Sequence, residues 1–495
     1  MTVKVLKIHP NDNVAVAIEN LSAKTSIMWE GNELKVRSDI PAGHKIALTA
    51  ILNNEKVIKY GFPIGRASKD ICAGDWIHSQ NLVTALEGTR EYIYSPLLSE
   101  ATHTSDRTFR GYTRTNGEVG IRNEIWIINT VSCVNKTAAI IAAEANRIHT
   151  GRLEGIYSFP HPFGCSQLGE DLLNTQKILA GLVNHPNAGG VLILGLGCEN
   201  NHIGLFKELI GEYDERRVRF LNAQDVKDEV TEGVKLVGEL VDYACGFQRE
   251  EVSLSKIKVG LKCGGSDAFS GITANPLVGR CADILAGCGA TVILTEVPEM
   301  FGAESILMER CINRDIFTRT ATMVNSFKEY FTSYGQQVYE NPSPGNKEGG
   351  ITTLEEKSLG CIQKGGTANV TSVLDYGQLS RTEGLNLLYG PGNDLVASTA
   401  LVASGVQLIL FTTGRGTPLG APVPTIKISS TNELYQRKDN WMDFDAGRIL
   451  LGESIHELSR ELMDYIVQAA GGTIRTRNEL NDYREIGIFK DGVCL

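Results

Sequence analysis

The stretch Val259-Gly260-Leu261-Lys262-Cys263-Gly264-Gly265-Ser266-Asp267-Ala268-Phe269-Ser270-Gly271 decides how the chain is read. Residues 257–261 form a short, mostly apolar run that predicts a buried strand. The run stops at a cation, a thiol, two glycines, a hydroxyl and a carboxylate. Glycine lets the backbone turn tightly and approach a ligand closely, and open α/β sheets hold their ligands outside the carboxyl ends of their strands. A capped strand-to-helix turn explains the Ser and the Asp equally well. Taken alone, the stretch leaves site and turn open, so the recurrence of its pattern carries the argument.

Working outward, the pattern recurs. The run 124–131 ends in Ser132-Cys133-Val134-Asn135, the run 155–159 in His161-Pro162-Phe163-Gly164-Cys165, and the run 189–194 in Gly195-Leu196-Gly197-Cys198-Glu199-Asn200. Beyond the opening stretch, 290–295 ends in Glu296-Val297-Pro298-Glu299, 385–389 in Gly390-Pro391-Gly392-Asn393-Asp394, and 407–411 in Thr412-Thr413-Gly414-Arg415-Gly416. About seven such endings, interleaved with helical patterns near 137–147, 169–184, 228–244 and 276–288, predict parallel sheet with helices on its faces. Before residue 86 the pattern differs: short runs such as Val14-Ala15-Val16-Ala17-Ile18 alternate with Gly- and Pro-bearing turns, which predicts a small barrel or clip. The expected organisation is a β-rich domain at 1–90, a polar linker at 91–107 centred on Thr102-His103-Thr104-Ser105, a middle α/β domain at 108–248, and a C-terminal α/β domain at 249–495. The charged residues 247–256 mark the last boundary.

Bulk composition narrows the function. A chain of 495 residues with a net charge of −10 lacks the basic excess of a nucleic-acid surface. No apolar stretch is long enough to span a bilayer, and residues 1–8 are too short and mixed for a signal peptide, so a cytoplasmic location is expected. Eleven cysteines spread over the chain suit reduced thiols or metal ligands better than a disulfide framework. Gly195-Leu196-Gly197-Cys198 lacks the third glycine of a dinucleotide fingerprint, where Asn200 stands, and no phosphate loop occurs, so no nucleotide cofactor is expected. Cys165, Cys198 and Cys263 with His161, Glu199, Asp267 and Glu296 offer mixed soft and hard donors, suited to ferrous iron or manganese rather than calcium. For any one of these cysteines, the plain reading is a small buried hydrophobe. Arg122, Lys262 and Arg415 are candidate anion clamps, and His44, Lys45, Lys59 and His78 at strand ends of the first domain could line a site for an acid group; singly, each of these four reads more plainly as a solvated loop residue.

These residues resemble the altronate/galactarate dehydratase family over essentially the whole length. The motifs are Ala42-Gly43-His44-Lys45-Ile46-Ala47-Leu48, Ile58-Lys59-Tyr60-Gly61, His161-Pro162-Phe163-Gly164-Cys165, Gly195-Leu196-Gly197-Cys198-Glu199, Cys263-Gly264-Gly265-Ser266-Asp267 and Phe411-Thr412-Thr413-Gly414-Arg415-Gly416. The resemblance implies an N-terminal β-clip (SAF-like) domain, a middle domain engaged in dimerisation, and a C-terminal Rossmann-like domain that binds no nucleotide. It further implies a metal-assisted dehydration of a sugar acid, with altronate giving 2-dehydro-3-deoxy-D-gluconate, and Fe2+ or Mn2+ as the metal. On this basis Cys198, Glu199, Cys263 and Asp267 are expected at the metal. His161 or Lys262 is expected as base with Glu296 beside it, and Arg122, Ser266, Arg415, His44 and Lys59 on the substrate. A homodimer acting on a small sugar acid, without nucleic acid or membrane, follows. Galactarate dehydration, a sulfolactate-type lyase and a non-catalytic sugar-acid binding protein are the alternatives.

Overall fold

The structure, a computed structural model, describes residues 4–100 and 106–493. The start of the N-terminal segment and the linker centre at 102–105 lie outside the described residues. Two parallel sheets dominate. The first is built from β1 (Glu124–Asn129), α1 (Asn135–Ile148), β2 (Ile156–Ser158), α2 (Gly169–Val183), β3 (Ala188–Gly195), α3 (Ile203–Ile210), β4 (Val218–Asn222) and α4 (Glu229–Ala244). Its strand order is β2-β1-β3-β4, parallel throughout. The second contains β5 (Lys258–Cys263), α5 (Ala274–Gly287), β6 (Thr291–Leu294), α6 (Arg314–Ser333), α7 (Leu354–Cys361), β7 (Val370–Leu374), β8 (Gly384–Leu388), α8 (Asp394–Ala403), β9 (Leu408–Thr413), β10 (Thr425–Ser429), β11 (Phe444–Asp445) and α9 (Ile455–Gly471). Its order is β7-β8-β6-β5-β9-β10-β11, again parallel.

The strands are continuous apolar runs because helices cover both faces. Alternate residues therefore enter different cores. Val259, Leu261, Val292, Leu408 and Leu410 join α5 and α9 on one face. Ile293, Ile409 and Phe411 join Trp126, Ile128, Val191 and Ile193 of the first sheet on the other. Ile178 and Leu182 of α2 and Ala400 and Ala403 of α8 fill that second core, so the two sheets share a helical layer. Its helices touch backbone to backbone: a Cβ on Gly181 would lie 2.4 Å from the Ala403 carbonyl oxygen.

The N-terminal residues form a four-stranded antiparallel sheet (Val5–Leu6, Val14–Ala17, Lys45–Ala47, Trp76–Ile77) and a three-stranded one (Lys56–Lys59, Phe62–Ala67, Leu82–Val83). Val14, Ala47, Val57 and Ile64 belong to the same apolar cluster as β5 and α5, so this part is docked on the second sheet.

Two local readings change. The polar residues after 90 form a strap rather than a free connection: Tyr92 donates to Glu304 at 2.6 Å, Tyr94 to the Cys311 carbonyl at 3.0 Å, and the Leu97 amide to the Glu309 carbonyl at 2.7 Å. The charged segment read as a boundary contains a strand, Glu250–Ser253, paired antiparallel with Thr108–Thr113. Its outward glutamates conceal it, because only one face is packed. Among the described residues no helix is long and apolar enough to cross a membrane.

Candidate active site

The chain steps from β5 to β6 on one side of the second sheet and returns to β9 on the other. The carboxyl end of β5 is therefore the switch point, where an open sheet leaves a crevice. Cys263 ends β5, wholly buried. Its thiol lies 3.0 Å from Glu299 Oε2, and the thiol of Cys361, the last residue of α7, lies 3.0 Å from the same oxygen. The two sulfurs are 3.4 Å apart. Among the described residues, this is the one group of three such side chains whose ligand atoms all fall within 4.8 Å of one another.

Charge surrounds the triad. Lys262 pairs with Glu296 and, at 2.9 Å, with Asp394. Lys364 reaches Glu296 at 3.3 Å and Lys357 reaches Glu299 at 2.8 Å. Burial opposes protonation of Lys262, yet Glu296 and Asp394 hold its ammonium well above the ordinary lysine range. Burial likewise works against ionised Glu299, but Lys357, Lys262 and Lys364 keep it charged, well below the carboxylate range. Burial and the Glu299 charge push Glu296 upward. Its hydrogen bond to Cys263 and burial raise the Cys361 thiol. Glu296 also sits at φ 72°, a left-handed conformation that a non-glycine residue holds only where its surroundings enforce it.

Three lysines face three carboxylates here, so the two thiols, once deprotonated, supply the charge that a divalent cation would balance. Two sulfurs and one carboxylate oxygen suit ferrous iron or zinc better than magnesium or calcium. The residues therefore fit such an ion.

The N-terminal part closes the site. Glu356, fully buried on α7, accepts from Lys45 and Lys59, each at 2.8 Å. Burial would raise its carboxyl, but the two ammoniums hold it at about 2. Burial and the Lys59 charge lower Lys45 to about 8, although Glu356 opposes them. Two cations share one anion beside a small cleft lined by Lys59, Tyr60, Ser266, Glu356, Lys357 and Cys361. His44 and His78 dock the same domain through the carbonyls of Glu348 and Lys347, at 3.2 and 2.9 Å. Burial lowers His44 to about 4, and Trp76 donates to its Nδ1 at 3.2 Å.

Lys59, Lys262, Cys263, Ser266 and Glu296 thus come together, with Arg415 half-exposed at the rim near Glu348 at 3.4 Å. Asp267 lines the cleft too, but its oxygens accept from Ser270 and Ser430. Arg122 lies elsewhere, its fork spent on Glu479 at 2.7 and 2.9 Å. His161, Cys198 and Glu199 sit at the end of the first sheet, and no hydrogen bond or ion pair among the described residues joins them to the triad. Glu299, Glu356, Lys357, Cys361, Lys364 and Asp394 were not singled out from sequence. The signal for Glu299 was present in Glu296-Val297-Pro298-Glu299. The residues of α7 read as an ordinary helix start, because acids near a helix N-terminus need no further reason.

Residues 3–85 match the altronate/galactarate dehydratase SAF domain. Residues 111–245 match the second domain of D-galactarate dehydratase/altronate hydrolase, and residues 254–494 match the D-galactarate/altronate dehydratase C-terminal domain. The chain is 49% identical to altronate dehydratase of Bacillus subtilis and 48% identical to that of Escherichia coli, in both cases over 99% of each chain. It is 33% identical to galactarate dehydratase (L-threo-forming) of Escherichia coli, over 95% of this chain and 93% of the other.

Proposed function

The chain belongs to the altronate/galactarate dehydratase family of hydro-lyases, and from that premise we propose that it removes water from D-altronate to give 2-dehydro-3-deoxy-D-gluconate. The observation that carries the siting is the buried Cys263–Glu299–Cys361 triad beside a lysine-lined cleft at the carboxyl end of β5. Cys263, Cys361 and Glu299 would hold a divalent ion, ferrous iron in this reading. Such an ion would supply Lewis acidity toward the substrate's carboxylate end.

The other roles belong to the chain's own groups. Lys59, which lines the cleft and stays charged beside Glu356, faces the substrate carboxylate. Lys45, lowered to about 8, takes the proton from C2, since a base works best near the operating pH. Lys262, held protonated by Glu296 and Asp394, stands beside the developing enediolate and gives the departing 3-hydroxyl the proton with which it leaves as water; the resulting enol tautomerises to the 2-keto acid. Ser266 lines the same cleft and orients the hydroxyls, and Arg415 guards its rim. In this reading the clip of 1–90 and the Rossmann-like unit of 249–495 build the site together, the unit of 108–248 stands behind them, and the protein is a cytoplasmic homodimer.

Anaerobic, reduced protein with ferrous iron is expected to form the 2-keto product from D-altronate, and to act much more slowly on galactarate and sulfolactate. Lys45→Met should cost about 10²–10⁴-fold in turnover and abolish exchange of the C2 proton with solvent. Iron-independent turnover, or normal C2 exchange in the Lys45→Met protein, would overturn the assignment.

A further inference from the structure

The first sheet has a switch point of its own. The chain moves from β1 to β2 on one side and then to β3 on the other, so the carboxyl end of β1 opens a second crevice. Cys133 follows β1, Cys165 follows β2 and Cys198 follows β3, and all three are exposed and reduced. Their loops are locked together by backbone hydrogen bonds: the Ser132 amide to the Phe163 carbonyl at 2.9 Å, and the Asn201 amide to the Gly164 carbonyl at 3.0 Å. The Ser166 amide donates to the Asn200 side chain at 2.9 Å. A Cβ on Gly164 would lie 2.0 Å from the Thr130 carbonyl oxygen, so the loop bearing Cys165 lies directly against the one bearing Cys133.

A second observation marks the same edge. Of the buried side-chain atoms that lack a hydrogen-bond partner among the described residues, four belong to this edge: Asn129 Oδ1, Gln167 Nε2, Asn201 Oδ1 and Asn222 Oδ1. Asn129 and Asn222 end β1 and β4, while Gln167 and Asn201 follow Cys165 and Cys198. Asn129, Gln167 and Asn201 are 0%, 1% and 0% exposed. Buried polar atoms are normally paired, so these four leave hydrogen-bonding capacity unused at this edge.

The nearest acid and imidazole are already spent. Glu199 accepts from Thr130 at 2.5 Å, from the Leu196 amide at 3.1 Å and from the Gly197 amide at 2.7 Å. His161 uses Nε2 on the Asn129 carbonyl at 2.8 Å and accepts at Nδ1 from the Phe163 amide at 3.2 Å. Thiols alone remain. A single tetrahedral ion with sulfur bonds of about 2.3 Å would need its sulfurs about 3.8 Å apart, and these three do not all lie within 4.8 Å of one another. A cluster whose thiolates each bind a different iron accommodates sulfurs farther apart than a single ion does. The starts of α1, α2 and α3 follow the three cysteines, and positive helix ends favour the negative charge of such a cluster.

We propose that Cys133, Cys165 and Cys198 ligate an iron–sulfur cluster of the four-iron class, one thiolate per iron, with the fourth iron open toward the unpaired amides. The test uses the full chain under anaerobic conditions with equal parts ferric and ferrous iron and sulfide, a mixture that supplies the cluster's oxidation level without a further oxidant. About four irons and four acid-labile sulfides per chain are expected, with the broad visible absorption of sulfide-bridged iron. Cys133→Ser, Cys165→Ser and Cys198→Ser should each lose the bound sulfide while keeping the circular dichroism of the parent. Cys263→Ser and Cys361→Ser, which remove the other site, should retain it. Iron bound without sulfide, or a cluster that survives all three sheet-edge substitutions, would overturn the proposal.

Discussion

Glu356 answers two lysines with its two oxygens, Oε2 to Lys45 and Oε1 to Lys59, and all three side chains are fully buried. Removing the carboxylate leaves two ammoniums in the core without a counter-charge, and breaking a buried pair in that way costs about 3–5 kcal/mol. Glu356→Gln is therefore expected to lose that much stability in urea denaturation. The pH dependence has a definite sign. The folded carboxyl sits at about 2, below its ordinary 4.5, so its contribution is present above pH 4.5 and disappears as the pH falls toward 2. The Gln variant should lack this limb of the acid unfolding curve. From the sequence, Lys59 was readable as an anion-binding candidate, and Glu356 only as an acid at a helix start. The residues stand 297 positions apart, and no local pattern can pair them.

Among the elements, α7 and the turn after it decide the site, and neither is marked by amphipathic spacing, because every residue from Leu354 to Cys361 is buried. The turn at Ile362–Gly365 packs on α5 so closely that a Cβ on Gly279 would lie 2.0 Å from the Gln363 carbonyl oxygen. Gly279→Ala should cost about 1–3 kcal/mol through overpacking and shift Lys364 off Glu296, so the melting temperature and altronate turnover fall together. Gly238→Ala on α4 is the contrast. Its Cβ would meet only the His149 ring, at 3.5 Å, and it should gain up to about 1 kcal/mol of helix propensity. Central strands were legible as unbroken apolar runs. The edge strands β4 and β7 were not, since two or three of the five residues in each remain partly exposed and polar residues interrupt them.

At the scale of the molecule, the change near residue 108 from turn-rich β pattern to strand–helix alternation is visible in the sequence, whereas the docking of the two patterns on each other is not. That docking makes a prediction. A chain beginning at residue 106 would leave Glu356 without either of its cations. It should lose altronate turnover and melt at a lower temperature while keeping the helical circular dichroism of the two parallel sheets. A truncated chain with parental turnover would show that the N-terminal strands contribute nothing to the site. The same long-range pairing also orders the folding of the chain. Lys45 leaves the ribosome 311 residues ahead of its partner, so the N-terminal strands must wait, with their lysines hydrated, until α7 is made. Since α7 cannot desolvate Glu356 alone, burying the helix and seating the strands become one late, concerted event across a very long loop. Synthesis is thereby divided into an early phase, in which the segments collapse separately, and a final one in which the active cleft first exists.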